Sequence, residues 1–369
     1  MQIRKIGLVT VCAALGTAAH AQSSVILYGL ADANVEYANH LSSVAPGQAG
    51  FPGKSGSRTG VTSGALAGSR WGLRGSEDLG GGSRALFVLE SGFTMDDGKS
   101  TQGGRLFGRQ GFLGLENDRL GALTLGRQYT SIFDTFANFT PTAYATMYEP
   151  VAVMTGLNFR SDNVVQYRAG FGGVNLRAHW TFGNGVNGAG EVPGQFRRDN
   201  GYGAGLNYAG QNVGAAIAYD QYNPTLSTGG LVGANKKTGG ALSYAWTNVQ
   251  VMGGYRWGQN KNNAGKTLFR DNFYWAGAVW TFQPVTLTLA YYYDQIMNQP
   301  QANAKNPWQV SFIAEYNFSK RTEIYLTSAY ARNAGLNLDT ANNSFSTGYA
   351  LGKGENNMLG VALGVRHKF

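Results

Sequence analysis

Leu359-Gly360-Val361-Ala362-Leu363-Gly364-Val365-Arg366-His367-Lys368-Phe369 is the most informative stretch of the chain. Leu359, Val361, Leu363, Val365 and Phe369 fall on one side of a two-residue repeat, and Gly360, Ala362, Gly364, Arg366 and Lys368 on the other. Alternate residues separate onto opposite faces in a β-strand, so this is a strand with one apolar face and one polar or small face. A terminal strand of this kind can pair with the first strand, and a sheet closed in that way has no edge.

The same alternation recurs through the chain. Val174, Leu176, Ala178, Trp180 and Phe182 oppose Asn175, Arg177, His179 and Thr181, and Val310, Phe312, Ala314, Tyr316 and Phe318 oppose Ser311, Ile313, Glu315 and Asn317. The pattern predicts sixteen strands, near 24–38, 68–76, 83–93, 105–116, 120–128, 160–169, 174–183, 199–209, 212–222, 237–247, 249–258, 271–282, 285–295, 308–318, 321–332 and 358–369. Most match the ~9–11 residues of a tilted membrane strand. Turns such as Asn117–Arg119, Thr247-Asn248 and Gln283-Pro284 alternate with long Gly/Asn/Ser-rich connections such as 39–67, 129–159 and 333–357. An up-and-down sheet puts every second connection at one rim, so the alternation predicts a barrel with a short-turn end and a long-loop end. A soluble sandwich is the competing reading. Aromatics at the ends of the apolar faces (Tyr208, Trp246, Trp280, Phe282, Tyr293, Phe318, Tyr330) favour a membrane interface instead.

Composition narrows the class. Glycine is abundant (54), aromatics make up 12% and charged residues only 14%. The sole cysteine, Cys12, lies in a segment that reads as an export signal: Arg4 and Lys5, an apolar run from Ile6 to Leu15, then Ala19-His20-Ala21. Cleavage there leaves residues 22–369 as one barrel domain without cysteine, and hence without a disulfide or thiolate metal site. No later stretch is apolar enough for a membrane helix. The excess of +9 is scattered along the chain with no basic run longer than a pair, so nucleic-acid binding is not indicated.

Short motifs carry a family resemblance. Ser69-Arg70-Trp71-Gly72-Leu73-Arg74-Gly75-Ser76-Glu77-Asp78-Leu79-Gly80, Leu89-Glu90-Ser91-Gly92-Phe93, Gly108-Arg109-Gln110, Leu125-Gly126-Arg127-Gln128-Tyr129 and Arg160-Ser161-Asp162-Asn163 resemble Gram-negative general-diffusion porins of the beta-proteobacterial type. So do the start, Leu27-Tyr28-Gly29, and the end, Arg366-His367-Lys368-Phe369.

The resemblance implies a sixteen-stranded antiparallel all-β transmembrane barrel in the outer membrane. It implies a homotrimer among lipid and lipopolysaccharide, and a terminal Phe369 read by the barrel-assembly machinery. It also implies a third external loop, residues 129–159, folded inward as a pore constriction. The basic wall would be Arg70, Arg74, Arg127 and Arg160, the acidic loop partners Asp134 and Glu149, and the further lumen-lining residues Arg168 and Arg177. Alternation independently puts Arg70 and Arg74 on one face. The loop has Met147-Tyr148-Glu149-Pro150 where related porins carry a Pro-Glu-Phe-Gly-Gly type segment.

Catalytic readings find little support. His40, His179 and His367 stand near no nucleophile motif and without metal-ligand spacing, and read as solvated histidines. Leu79-Gly80-Gly81-Gly82-Ser83 lacks the Lys-Ser/Thr of a phosphate loop and reads as a turn, and Asn184-Gly185-Val186-Asn187-Gly188 as an external loop. The expected function is passive diffusion of ions and small hydrophilic solutes through a water-filled lumen, with moderate anion selectivity, no enzymatic activity and no cofactor. The alternatives are a solute-specific anion channel and an adhesive or structural barrel.

Overall fold

The computed structural model describes residues 24–183, 191–226, 231–299 and 305–369. The expected export signal (1–21) and the loop Asn184–Gly188 lie outside the described residues.

The apolar/polar alternation resolves into seventeen strands: β1 (Ser24–Ser42), β2 (Ser55–Ser63), β3 (Arg70–Gly80), β4 (Ser83–Gly92), β5 (Gln110–Asn117), β6 (Gly121–Tyr129), β7 (Arg160–Phe171), β8 (Val174–Thr181) and β9 (Gly201–Ala209). They continue with β10 (Val213–Tyr222), β11 (Ala234–Trp246), β12 (Val249–Lys261), β13 (Thr267–Phe282), β14 (Val285–Asn298), β15 (Trp308–Asn317), β16 (Thr322–Arg332) and β17 (Asn357–Lys368). Apart from β2 and β3, sequential neighbours pair antiparallel, and β17 pairs with β1 from Lys368↔Leu30 to Gly360↔Ala38. The sheet is a closed barrel.

β2 and β3 pair with successive parts of β1, from Ala33 to Ser42 and from Ser24 to Leu30, so they share one of sixteen positions around the wall. The break between them has a local cause. The buried Asp32 carboxylate accepts backbone N–H bonds from Ala65, Leu66 and Ala67 (3.3, 3.0 and 2.9 Å) and a bond from the Tyr325 hydroxyl. Satisfying a buried carboxylate draws residues 64–69 out of the sheet and inward. The sequence pattern read all of 39–67 as loop. Residues 55–63 are mostly exposed, so no apolar face is imposed on them and no period-two signal marks the strand. At the other boundary to be corrected, residues 105–109 are not strand and β5 begins at Gln110.

The faces follow the sequence. In β14, Leu289 and Tyr291 point outward and exposed, while Thr288, Ala290, Tyr292 and Asp294 are buried inside the barrel. Near the short turns the outer surface carries Trp246, Trp280, Phe282, Tyr316 and Phe318. Towards the long loops the rings of Tyr255, Tyr274 and Tyr293 follow one another across three strands at 5.2 and 6.2 Å. Two aromatic girdles flanking an aliphatic band are the outer surface of a membrane barrel.

Phe369 completes the seam. Its N–H and C=O bond the C=O and N–H of Gly29 (3.1 and 2.9 Å), and its ring covers Gly29, where any side chain would collide with it. Deleting Phe369, or making Gly29→Val, is expected to lower the yield of heat-modifiable, detergent-stable barrel in the outer membrane. Wild-type yield from both variants would show that this seal is dispensable.

Candidate functional site: the lumen and its third long loop

The connection between β6 and β7 is packed inside the barrel. Its short helices, Ser131–Phe136 and Val151–Thr155, contribute Ile132, Phe136, Val153 and Met154 to an apolar cluster with Ala216, Ala218, Ala241, Phe273, Trp275 and Tyr292 of the wall. The sequence makes room for the loop with small inward residues. A Cβ on Gly205 would collide with Thr135, and one on Gly277 would lie 2.5 Å from Pro141. Polar ties finish the docking: the Trp275 indole donates to the Phe139 C=O (2.8 Å), Gln309 Nε2 to the Tyr148 C=O (2.8 Å), Lys237 Nζ to the Val153 C=O (3.2 Å) and the Tyr148 hydroxyl to Glu36 (2.9 Å).

His179, expected to be solvated, is instead buried under this loop. The Ser131 N–H donates to its Nδ1 at 3.1 Å, with the Ser131 hydroxyl at 2.8 Å from the same nitrogen. Nδ1 is therefore the acceptor, and Nε2 carries the ring proton towards Asp220 Oδ2, 3.7 Å away.

One flank of the remaining space is basic. Arg70, Arg109 and Arg160 border a cavity of about 650 Å³ together with Tyr129. The Arg160 guanidinium lies 4.7 Å from the Phe159 ring and 4.9 Å from the Tyr129 ring, and donates to the Tyr129 hydroxyl (3.1 Å). Tyr129, Phe133 and Tyr144 form a stack with centroids 4.4 and 4.3 Å apart, and Phe159 packs on Phe133 at 5.0 Å. Arginine held over aromatic faces keeps its charge and loses its freedom. Arg109 is buried and paired with Glu90 (2.7 Å), and Arg70 donates to the Gly68 C=O (3.0 Å). Among the described residues no carboxylate lies within ion-pair distance of Arg70 or Arg160.

The same cavity is bordered elsewhere by Gln250, Thr286, Thr288, Asn138 and Thr140, with Glu315, which Arg366 holds at 3.1 Å. The two expected acidic partners are not there. Asp134 turns to Arg177 (2.8 Å), and its burial pushes its pKa up against the pull of Arg177 and Arg168. Glu149 is buried in the loop, bonded to the Thr142 hydroxyl, and its pKa is pushed up to about 7 by loss of hydration. Arg127 is likewise elsewhere: it pairs with Asp162 (2.7 Å), which also binds Arg105 (2.8 Å). A bulge at Gly126–Gln128 shifts the register at this point.

Arg74, Arg168 and Arg177 border a second cavity of about 610 Å³ at the short-turn end, with Arg84, which is held by Asp118 (2.9 Å) and Glu116 (3.4 Å). Arg74 lies over the Tyr28 ring (5.3 Å) and Arg168 over Phe112 (5.7 Å). Two residues of the charged lining had signals in the sequence that went unused. Arg109 sits inside the motif Gly108-Arg109-Gln110, and Arg366 is on the inward side of the terminal repeat.

A closed antiparallel barrel with a lipid-facing apolar belt and a polar, arginine-lined interior defines an outer-membrane channel for passive diffusion. The family model described as Gram-negative porin matches residues 8–336, and the chain belongs to that family. An outer membrane porin protein of Bordetella pertussis is 29% identical over 95% of this chain and 96% of its own. Outer membrane porin protein 32 of Delftia acidovorans is 28% identical, also over 95% of this chain and 96% of its own. In fold, the chain is similar to an anion-selective porin from Comamonas acidovorans (TM-score 0.76, 24% identity, 94% of this chain and 100% of that one). It is also similar to the trimer form of OmpT of Vibrio cholerae (TM-score 0.64, 12% identity, 94% and 99%).

Glu149 makes loop docking sensitive to pH. A carboxyl whose pKa is raised from 4.5 to about 7 on docking stabilises the docked loop fully below the free value. That contribution falls away as pH rises through about 7, and over the whole range it is on the order of 3 kcal/mol. Conductance noise in planar bilayers is expected to increase between about pH 5 and 8. Glu149→Gln should flatten that dependence, and an unchanged profile in the variant would assign it to another group.

Proposed function

We propose that the chain forms a homotrimeric, moderately anion-selective general-diffusion pore whose constriction lies between the Arg70/Arg109/Arg160 wall and the third external loop. The observation that carries this reading is the imbalance around the 650 Å³ cavity, where among the described residues Arg70 and Arg160 lack a carboxylate partner and the remaining border is uncharged apart from Glu315, which Arg366 holds. Permeating ions pass these charges within a Debye length of ~8 Å, so local charge outweighs the net charge of the chain. Arg74, Arg168 and Arg177 extend the basic lining towards the short-turn end. Asp134 and Glu149 serve to hold the loop in place and do not form an acidic counter-wall. The anion selectivity of the similarly folded porin from Comamonas acidovorans supports the sign.

The trimer reading draws on an outer surface with two characters. β1, β5 and β6 expose aliphatic residues such as Val25, Leu27, Leu113, Leu115, Leu123 and Leu125, whereas β11 to β15 expose aromatics such as Tyr244, Trp246, Tyr255, Tyr274, Trp280, Phe282, Tyr291 and Tyr316. The smooth arc suits close packing against neighbouring subunits, and the aromatic arc suits lipid and lipopolysaccharide. Residues 1–21 would direct export and Phe369 would be read by the barrel-assembly machinery. The reading needs neither a cofactor nor a catalytic group.

Reversal potential in a KCl gradient across a planar bilayer tests the selectivity. The wild type is expected to prefer chloride. Reversing one wall charge changes an ion's energy nearby by about 1 kcal/mol after screening, roughly fivefold in that ion's local concentration. Arg70→Glu and Arg160→Glu should each move the potential towards cations. A cation-selective wild type, or no shift in either variant, would overturn this assignment.

A further inference from the structure

A third cavity, of about 320 Å³, lies at the long-loop end between the helix Val151–Thr155, the upper parts of β10–β14 and the connection that follows β16. It is blind. One inward step below its lining residues Asp220, Asp271 and Asp294 stand Ala218, Phe273 and Tyr292, all buried and packed with Phe136 in the apolar cluster.

The lining is unlike the arginine wall. Asp294 is 5% exposed and shares a hydrogen bond with Asp271, which Arg256 also holds, yet the Asp294 Oδ1 has no hydrogen-bond partner among the described residues. Asp220, 7% exposed, is bonded by the Ile132 backbone N–H, and its Oδ2, 3.7 Å from His179 Nε2, has no hydrogen bond among the described residues. A buried carboxyl oxygen left without a partner has lost its hydration, and a bound hydroxyl group would restore a hydrogen bond to it. Lys237 Nζ borders the same space, bonded to the Val153 C=O, and Asp199, Asn260, Asn342 and Phe269 are also among its lining.

We propose that this cavity binds a neutral polyhydroxylated solute of monosaccharide size. Hydroxyl groups both donate and accept, so they can satisfy the carboxylate oxygens and take bonds from Lys237 and the asparagine amides together. An organic ammonium would meet the carboxylates but would be repelled by Lys237, and it offers nothing to the amide donors. Phe269 gives the apolar face of a sugar ring a surface to lie on. The volume is at the lower end of ligand pockets, which start near ~300 Å³. This site is separate from the arginine-lined passage, so it stands or falls independently of the selectivity.

The test is binding of glucose, galactose and mannose to the purified protein in detergent, by saturation-transfer NMR and calorimetric titration, with spermidine as the cationic comparison. At least one hexose is expected to bind the wild type, and Asp294→Asn and Asn260→Ala should each weaken it by about tenfold, the loss of one hydrogen-bond set in a desolvated site. Both variants should retain heat-modifiable migration and the wild-type KCl reversal potential. The proposal is overturned if no hexose binds the wild type, if binding is unaffected by both substitutions, or if spermidine binds and the hexoses do not.

Discussion

Every strand of this wall relies on the backbone hydrogen bonding that closes the β1–β17 seam. Lipid offers no partner to an exposed N–H or C=O, so a sheet in a bilayer must satisfy every one of them internally, and only closure does this. Here closure runs through nine residue pairs from Leu30↔Lys368 to Ala38↔Gly360, and Phe369 adds a two-way bond to Gly29. Once the wall is closed, the two-residue repeat sorts side chains into a lipid face and a lumen face without further instruction.

A wall of sixteen positions encloses more space than its own side chains can fill, so the interior has to be furnished separately. The connection between β6 and β7 does this, resting on small inward residues and on a cluster that includes Phe273, Trp275 and Tyr292. Buried acids perform structural work at each end of this arrangement. Asp32 gathers the amides of Ala65, Leu66 and Ala67, Glu36 receives the hydroxyls of Tyr148 and Tyr349, and Glu149 is bonded within the loop itself. Carboxylates committed in this way are unavailable to neutralise the arginine wall.

The charge imbalance along the passage is therefore a product of packing. Arg160 is fixed by stacking on Tyr129 and Phe159, and Arg70 by a backbone carbonyl, so neither needs a carboxylate to be held in place. Arginines with aromatic and carbonyl partners keep their positive potential directed into the space they border.

The barrel, its strand faces, the aromatic girdles and the inward placement of Arg70, Arg74, Arg168 and Arg177 were all legible in the chain. They follow from the period-two alternation that lipid on one side and water on the other impose on each strand locally, and the motifs carried the family. Contacts across the fold settled the rest. That Asp134 turns to Arg177, that Glu149 is buried by Thr142 and Tyr292, that Arg127 is drawn to Asp162, and that His179 is covered by Ser131 each depend on how the loop and the wall meet in space. β2 was likewise invisible, because its exposed residues carry no alternation, and the turn-in at 64–69 depends on Asp32 of another strand. A loop that folds into a lumen takes its partners from many strands at once, and no spacing along the chain records which of them it meets.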